Sequence, residues 1–224
     1  MDYESLMDLM RARRTTRGYK TDPIPEEYIN QVIEAARWAP TGANTQPFEF
    51  VVVKDEKSKA EIKRIHDETF WKVKVVSEGA SGSSMKYLEV APLLIIVLGD
   101  PRFKDAYPKG DVRDEIFHAG LSAAVQNMHL AATALGLGGS VWYTVGPVAG
   151  MKIKDLLKIP QVFIVKTIMP LGYAKAKPKP PMKRETFTHL DRYDMDKFRR
   201  EEEIQKVIES TAIFKGKLSH KRKI

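Results

Sequence analysis

The sequence contains no cysteine among its 224 residues. Without a thiol, the chain has no disulfide framework, no thiolate nucleophile, and no iron–sulfur or cysteine-ligated zinc site. Redox chemistry in this protein would therefore depend on a bound organic cofactor.

Long apolar runs are also missing. The most apolar segment, residues 91–98, is far shorter than the roughly 20 residues of a membrane-spanning helix. The opening residues, Met1 to Glu4, lack the basic and apolar regions of a signal peptide. These features predict a soluble, cytoplasmic protein without a membrane partner.

Several catalytic motifs are absent as well. The five histidines show no metal-binding spacing, so we expect no metal site. No serine lies in a Gly-x-Ser-x-Gly elbow, and no phosphate-binding loop ends in Gly-Lys-Ser or Gly-Lys-Thr. The sequence therefore disfavours hydrolysis by a serine nucleophile and cleavage of nucleoside triphosphates.

The net charge of +8 is unevenly distributed. Much of the excess lies in a basic tail at residues 215–223 and in a proline-rich segment at residues 175–184. Nucleic-acid binding would require basic residues interleaved with aromatic ones on one surface, or a recognisable motif, and neither is present. Solvated surface charge is the better interpretation of the tail, and no nucleic-acid partner is expected.

The chain alternates predicted helices and strands without an internal repeat. Residues 92–99 are continuously apolar, which predicts a central strand buried on both faces, with helices packed on each side. A long helix at 114–135 carries small residues that permit close packing, either in the core or at a subunit interface. The remaining predicted helices cover 3–13, 26–39, a segment after Asp55, 151–157 and 194–214; the strands cover 48–53, 140–145 and 162–169, and a flexible loop, either a lid or a plain connection, covers 77–84.

Two polar segments follow predicted helices. Residues 13–17 place three arginines and Thr15 at a helix end, where cations offset the helix dipole or, with their guanidinium forks, bind phosphate. Residues 40–47 form a turn of small and polar residues before a strand, which suits either an ordinary capped loop or close contact with a flat ligand. In this turn we expect Gln46 to be a buried structural amide.

The glycines at 136, 138 and 139 have a different role. They end a helix and open a strand, whereas a dinucleotide fingerprint follows a strand and opens a helix. They are therefore predicted to cap the helix and form a turn.

Four ordered segments resemble the nitroreductase family of FMN-dependent oxidoreductases: residues 13–19, 39–48, 134–142, and 171–173 followed by Arg184. The resemblance implies a three-layer α/β fold (α+β in some schemes), with a central mixed sheet flanked by helices, and a homodimer. It further implies one FMN-binding domain at 1–190, a helical extension at 191–214 and a mobile basic tail at 215–224.

The resemblance also implies where FMN binds. Arg13 and Thr15 would hold its phosphate and ribityl end, Arg17 would lie near the pyrimidine edge, and Arg184 would be a second phosphate ligand. The loop at 40–44 would serve the flavin of the partner subunit, and a backbone amide near residue 143 would meet flavin N5. The implied cofactor-binding residues are Arg13, Arg14, Thr15, Arg17, Pro40, Thr41, Gly42, Asn44, Trp142, Tyr143, Thr144, Lys183 and Arg184.

The implied activity is a ping-pong transfer of hydride from NAD(P)H through FMN to an electron-poor small molecule such as a nitroaromatic, a quinone or an activated alkene. No catalytic side chain is required, because the flavin carries the reactive atom. The alternatives are a specialised branch of the same fold, namely a reductive dehalogenase or a flavin-fragmenting enzyme, and a flavin- or anion-binding protein without turnover. A basic adaptor that uses its tail is a further alternative.

Overall fold

The computed structural model describes residues 2–70, 85–139, 145–176, 178–180 and 183–210. These residues form two compact units, one containing the described residues up to Pro180 and the other containing 183–210. The loop predicted at 77–84, residues 140–144 of the strand predicted at 140–145, the end of the last predicted helix at 211–214 and the basic tail lie outside the described residues.

The first unit is built around a four-stranded sheet in the order β1-β2-β4-β3. All three strand pairs are antiparallel, and one parallel bridge joins Thr15 to Gly139. Every residue of β2 is buried, as its continuous apolar sequence predicts. The strands are β1 (Phe48–Val53), β2 (Leu93–Gly99), β3 (Gly138–Gly139) and β4 (Ile164–Gly172).

Helices cover both faces of this sheet. Successive strand residues point to opposite faces, so β2 contributes Ile95 to one core and Ile96 to the other. The first core contains α2 (Glu26–Arg37) and α5 (Val112–Ala134). The second contains α3 (Glu56–Phe70), α4 (Tyr87–Val90) and α6 (Pro147–Leu157). This arrangement confirms the predicted three layers.

The end of α5 confirms the role predicted for the glycines. Gly136 has a φ of +72°, a left-handed conformation in which a side chain is strained. The Gly136 N–H donates to Thr133 O at 3.1 Å, and the Leu137 N–H donates to Ala132 O at 2.8 Å. These two bonds form a Schellman motif, which satisfies the last carbonyls of the helix.

Helix α1 (Tyr3–Ala12) has a well-formed start but no buried residue. The Asp2 carboxylate caps it by accepting a hydrogen bond from the Ser5 N–H at 2.8 Å. Tyr3, Leu6 and Met10 recur at helical spacing and are all exposed. Helix α1 therefore presents an uncovered apolar face.

The second unit contains α7 (Glu201–Ser210), which begins seven residues after the start of the helix predicted at 194–214. The Asp194 carboxylate accepts from the Asp196 N–H at 3.1 Å and caps a separate 3-10 turn, Met195–Lys197. Phe198 then has an extended conformation, with ψ of 120°, that ends this turn before α7 begins. The prediction missed this break because side-chain capping is a local competitor of helix continuation.

No helix among the described residues has both the length and the apolar character needed to cross a membrane.

Candidate cofactor site

The segment after α1 is held in place by backbone hydrogen bonds on both sides. The Thr16 N–H donates to Gly139 O at 3.0 Å, and the Lys20 N–H donates to Tyr173 O at 2.8 Å. Tyr19 is 1% exposed, and its hydroxyl donates to Thr16 O at 2.7 Å. Side chains between residues 13 and 19 therefore project from a fixed backbone, as a binding site requires.

Along this segment, side chains alternate between buried and exposed positions. Thr16 is buried, and a Cβ at Gly138 would collide with its hydroxyl, so only glycine permits this close approach. Thr15 and Arg17 are exposed, and Arg13 is half-buried. Among the described residues, no hydrogen bond or salt bridge engages the side chains of Arg13, Thr15 or Arg17. One hydroxyl and two guanidinium groups are therefore available for an anionic ligand.

Arg14 is engaged differently from its neighbours. Its Nη1 atom donates to Arg13 O at 2.8 Å and also to Arg11 O, so the guanidinium caps the C-terminal end of α1. Its Nε atom is buried without a hydrogen-bond partner in the described structure. Capping and compensation of the helix dipole account for Arg14, whereas its assignment to the cofactor stays a prediction.

A buried imidazole lies behind Arg13. His129 of α5 is 5% exposed, and a Cβ at Gly139 would lie 3.2 Å from its Nδ1 atom. Burial, with a smaller contribution from the Arg13 charge, lowers the pKa of His129 to about 4. His129 is therefore neutral at pH 7, so the positive charge that could attract an anion here belongs to Arg13 and not to the imidazole.

The loop between α2 and β1 is strained. Ala43, Asn44 and Gln46 have φ angles of 48°, 53° and 47°, although none of them is glycine. Each such residue costs on the order of 1–2 kcal/mol, so the surrounding contacts must hold the loop in this conformation. Gln46 is exposed, contrary to the buried amide expected, and its amide donates to Asn44 Oδ1 at 3.2 Å.

A short hydrogen-bonded chain holds this loop. The Thr45 hydroxyl donates to Gly42 O at 3.0 Å, so the Tyr107 hydroxyl is the donor in the 2.6 Å bond to Thr45 Oγ1. The Gln46 N–H donates to Thr41 Oγ1 at 3.1 Å. Tyr107, for which no sequence pattern indicated a role, is 6% exposed, and its ring lies against Gly42.

Helix α5 lies beside both polar segments, residues 13–17 and the strained loop, at different positions along its length. A Cβ at Gly120 would lie 3.1 Å from Thr41 Cγ2, which places the strained loop beside the first half of α5. The charge of Arg13 lowers the pKa of His129, which lies nine residues after Gly120 in α5. At 1.5 Å per residue, these positions are about 14 Å apart along the helix axis.

The remaining predicted cofactor residues lie in the strained loop, in the second unit or outside the described residues. Pro40 and Asn44 are exposed, and Thr41 and Gly42 are half-buried. Lys183 and Arg184 are exposed residues of the second unit. Trp142, Tyr143 and Thr144 lie outside the described residues.

Comparison of sequences gives the family. The profile of the nitroreductase family matches residues 10–173. An Archaeoglobus fulgidus protein, provisionally named as an NADH dehydrogenase/NAD(P)H nitroreductase, is 31% identical over 200 residues, which are 88% of this chain and 98% of that protein. The iodotyrosine deiodinase of Danio rerio is 32% identical over 202 residues, covering 84% of this chain and 66% of the relative.

Comparison of structures gives the fold. An iodotyrosine deiodinase bound to FMN and 3-iodo-L-tyrosine superposes with a TM-score of 0.69 at 24% identity, covering 84% of this chain and all of the other. An FMN-dependent nitroreductase from Clostridium difficile superposes with a TM-score of 0.65 at 21% identity, covering 84% and 99%. The chain has the nitroreductase fold, as predicted, and it belongs to the nitroreductase family.

Proposed function

We propose that this protein is an FMN-dependent oxidoreductase that uses NAD(P)H to reduce an electron-poor small molecule. The observation that carries the proposal is the set formed by Arg13, Thr15 and Arg17, whose side chains share a fixed backbone and have no partner among the described residues. Guanidinium groups bind phosphate through paired hydrogen bonds, and a hydroxyl adds a further donor. The donors therefore fit a ligand with a phosphate end, as FMN has.

The residues of the chain would bind and tune the cofactor. Arg13 and Thr15 would hold the phosphate and ribityl end, and Arg184, with Lys183, would add positive charge at the phosphate. Arg17 would lie near the pyrimidine edge, where its charge stabilises the negative charge that develops on reduction. FMN, when bound, would supply the hydride transfer between donor and acceptor, so no side chain is assigned as a catalytic acid or base.

We further infer that the site is completed by a second copy of the chain. The loop at Pro40, Thr41, Gly42 and Asn44 would reach the flavin of the partner. In a two-fold dimer whose α5 helices pack antiparallel, the part of α5 around Gly120 in one chain lies beside a part of α5 nearer its C-terminal end in the other chain. The apolar face of α1 and the exposed small residues Ala119 and Ser122 of α5 supply surface that such a dimer would cover.

Reductive dehalogenation is a second candidate within the same fold. Iodotyrosine deiodinases are among the relatives about as similar to this chain as the nitroreductase-named ones, and one solved neighbour holds 3-iodo-L-tyrosine. Both candidates require the same flavin and differ only in the acceptor.

The test begins with the cofactor. The purified protein should be yellow and should release FMN, not FAD, on denaturation. Only FAD, or no affinity for added FMN, would contradict the proposal. Steady-state oxidation of NADH and NADPH by the FMN-loaded protein then separates an enzyme from a binding protein. A panel containing a nitroaromatic, a quinone, an activated alkene and 3-iodo-L-tyrosine identifies the acceptor class.

A further inference from the structure

A cavity of the first unit lies at the start of β4. Its volume is ≈ 460 Å³, within the range of small-molecule sites. Among the residues that line it are His118, Val145, Pro147, Met151, Lys154 and Lys166. None of them belongs to the residues predicted to bind FMN.

Lys166 reaches this cavity from a β-bulge. In the pairing of β2 with β4, Val97 lies opposite Thr167 and Leu98 lies opposite Val165, so Lys166 is an extra residue without a partner in β2. A bulge of this kind changes the direction of one side chain and often occurs next to a functional site. Here it places an ammonium group in a cavity that also has apolar lining residues.

The positive charge in the cavity is not balanced. Among the described lining residues, none carries a carboxylate. The Lys166 Nζ atom lies 3.5 Å from His118 Nδ1, at the limit of hydrogen-bond distance, and no salt bridge to Lys166 occurs in the described structure. Burial lowers the Lys166 pKa, which reflects an ammonium group partly removed from water without a counterion.

Lys154 adds a second, more deeply buried cation. It is 8% exposed, and its Nζ atom donates to Gln161 O at 2.8 Å and to Phe163 O at 3.0 Å. An ammonium group has three donors, so these two carbonyls leave one N–H. Lys154 therefore has a structural role and also keeps the local potential positive.

We propose that this cavity binds a small organic carboxylate, with the carboxylate on Lys166 and His118 and an apolar group against Val145, Pro147 and Met151. The anion supplies the missing counterion of Lys166, and the apolar residues contact the rest of the ligand. The proposal concerns unit-one residues alone and does not depend on the flavin chemistry proposed above.

The binding test uses the full chain and a matched pair of probes, 3-phenylpropanoate and its neutral amide, followed by calorimetry. Because a hydrogen bond to a charged group is worth about 1.5–3 kcal/mol, the acid should bind at least about tenfold more tightly than the amide. Lys166→Met should lose that preference, and Lys166→Arg should keep most of it. Lys158→Met, which removes an exposed lysine at the end of the same helix as Lys154, should bind like the unaltered protein.

His118 provides an independent measurement. It faces Lys166 on β4, Lys104 in the 3-10 turn Pro101–Ala106, and Asp114 one turn earlier on α5, while Lys154 lines the same cavity. Burial first, and then the charges of Lys166 and Lys104, lower the pKa of His118, and the Asp114 carboxylate opposes them. A bound carboxylate should raise that pKa, as followed by the imidazole resonances, and the affinity for the acid should increase as the pH falls.

Equal affinity for acid and amide, retention of the preference by Lys166→Met, or no binding of either probe would each overturn the proposal. Displacement of the acid by FMN would assign the cavity to the cofactor instead. Inorganic phosphate that competes as strongly as 3-phenylpropanoate would show that the apolar walls make no contribution, which also contradicts it. Circular dichroism of Lys166→Met establishes that a loss of binding is not a loss of fold.

Discussion

A single histidine should make the stability of this protein sensitive to mild acid. His129 has a pKa of about 4 in the folded chain, whereas the ordinary value is 6.5. As the pH falls through 6.5, the unfolded chain takes up this proton first, so the free energy of unfolding decreases until the pH reaches about 4. The full loss is about 3 kcal/mol, since one pKa unit corresponds to 1.36 kcal/mol.

Urea unfolding between pH 6.5 and pH 4 measures this effect. His129→Gln cannot be protonated, so its stability should fall less steeply over that range, even if it is lower at neutral pH. The same pH dependence in both proteins would mean that other groups cause the acid sensitivity. His66 and His118, whose pKa values burial also lowers, would then be the first to examine.

Tyr107 should hold the strained loop through one hydroxyl group. Tyr107→Phe keeps the ring contact with Gly42 and removes the 2.6 Å bond to Thr45. We expect a loss of about 1 kcal/mol of stability, the usual value for one hydrogen bond, and weaker FMN binding if the loop serves the flavin. Tyr3→Phe is the control, because Tyr3 is 69% exposed.

A double-mutant cycle with Thr45→Val isolates this bond. Thr45→Val also removes the hydrogen bond from Thr45 to Gly42 O, so if the two hydroxyl groups act together the double variant should be no less stable than Thr45→Val alone. Fully additive losses would show that Tyr107 and Thr45 act separately.

Arg17 should tune the reduction potential of the bound flavin. Arg17→Ala removes a cation proposed to lie near the pyrimidine edge, so the potential should fall and FMN should bind more weakly. A stabilisation of 1.4 kcal/mol corresponds to about 30 mV for a two-electron couple. Lys20→Ala, which removes an exposed cation three residues away, serves as the control. An unchanged potential in flavin-loaded Arg17→Ala would contradict the assignment.

The role of a polar side chain could be predicted from the sequence only where the direction in which the backbone points that side chain could also be predicted. The cluster at residues 13–17 was identified from its composition. Its division into available groups and a capping arginine depends on the alternation imposed by the bridge between Thr15 and Gly139. That bridge is a long-range contact, and no local pattern encodes it.

At the scale of helices and strands, two glycines should respond to alanine in opposite ways. Among the described residues, no atom lies within 4 Å of where a Cβ would be at Gly136 or at Gly150, so steric contacts with these residues do not distinguish the two positions. Gly136 has a φ of +72°, and Gly150 lies inside α6. Gly136→Ala should destabilise the protein by about 1 kcal/mol, and Gly150→Ala should stabilise it by about 0.5–1 kcal/mol. Thermal unfolding of both variants measures the difference, and effects of the same sign would contradict this explanation.

Hydrophobic pattern predicted the buried elements well and the element ends less well. The predicted central strand is confirmed. A continuously apolar strand is stable only when both of its faces are buried, and every residue of β2 is buried. Helix α6 begins at Pro147, four residues before the predicted start, because proline is favourable in a first helical turn. The strain at Ala43, Asn44 and Gln46 was not predictable, since tertiary contacts maintain it.

At the scale of the whole molecule, the proposed homodimer accounts for surface that one chain leaves uncovered. Helix α1 buries no residue of its own, and Trp38, beside the strained loop, is 80% exposed. Isolated exposed apolar residues are common, but a whole apolar helix face left uncovered is typical of an interface. Dimer formation would bury this face and bring the loop of one chain to the cofactor residues of the other.

Mixing two inactive variants tests whether the site is shared. Asn44→Ala damages the loop, and Arg17→Ala damages the cofactor segment, so each parent homodimer has two impaired sites. If the loop acts on the partner's flavin, a heterodimer of these variants has one doubly impaired site and one intact site. Activity should return, to at most half of that of the unaltered dimer. If Asn44 and Arg17 serve the same site from one chain, both heterodimer sites stay impaired and no activity returns. A heterodimer verified by mass that is as inactive as its parents would therefore refute the shared site, because FMN binding to a single chain predicts that result.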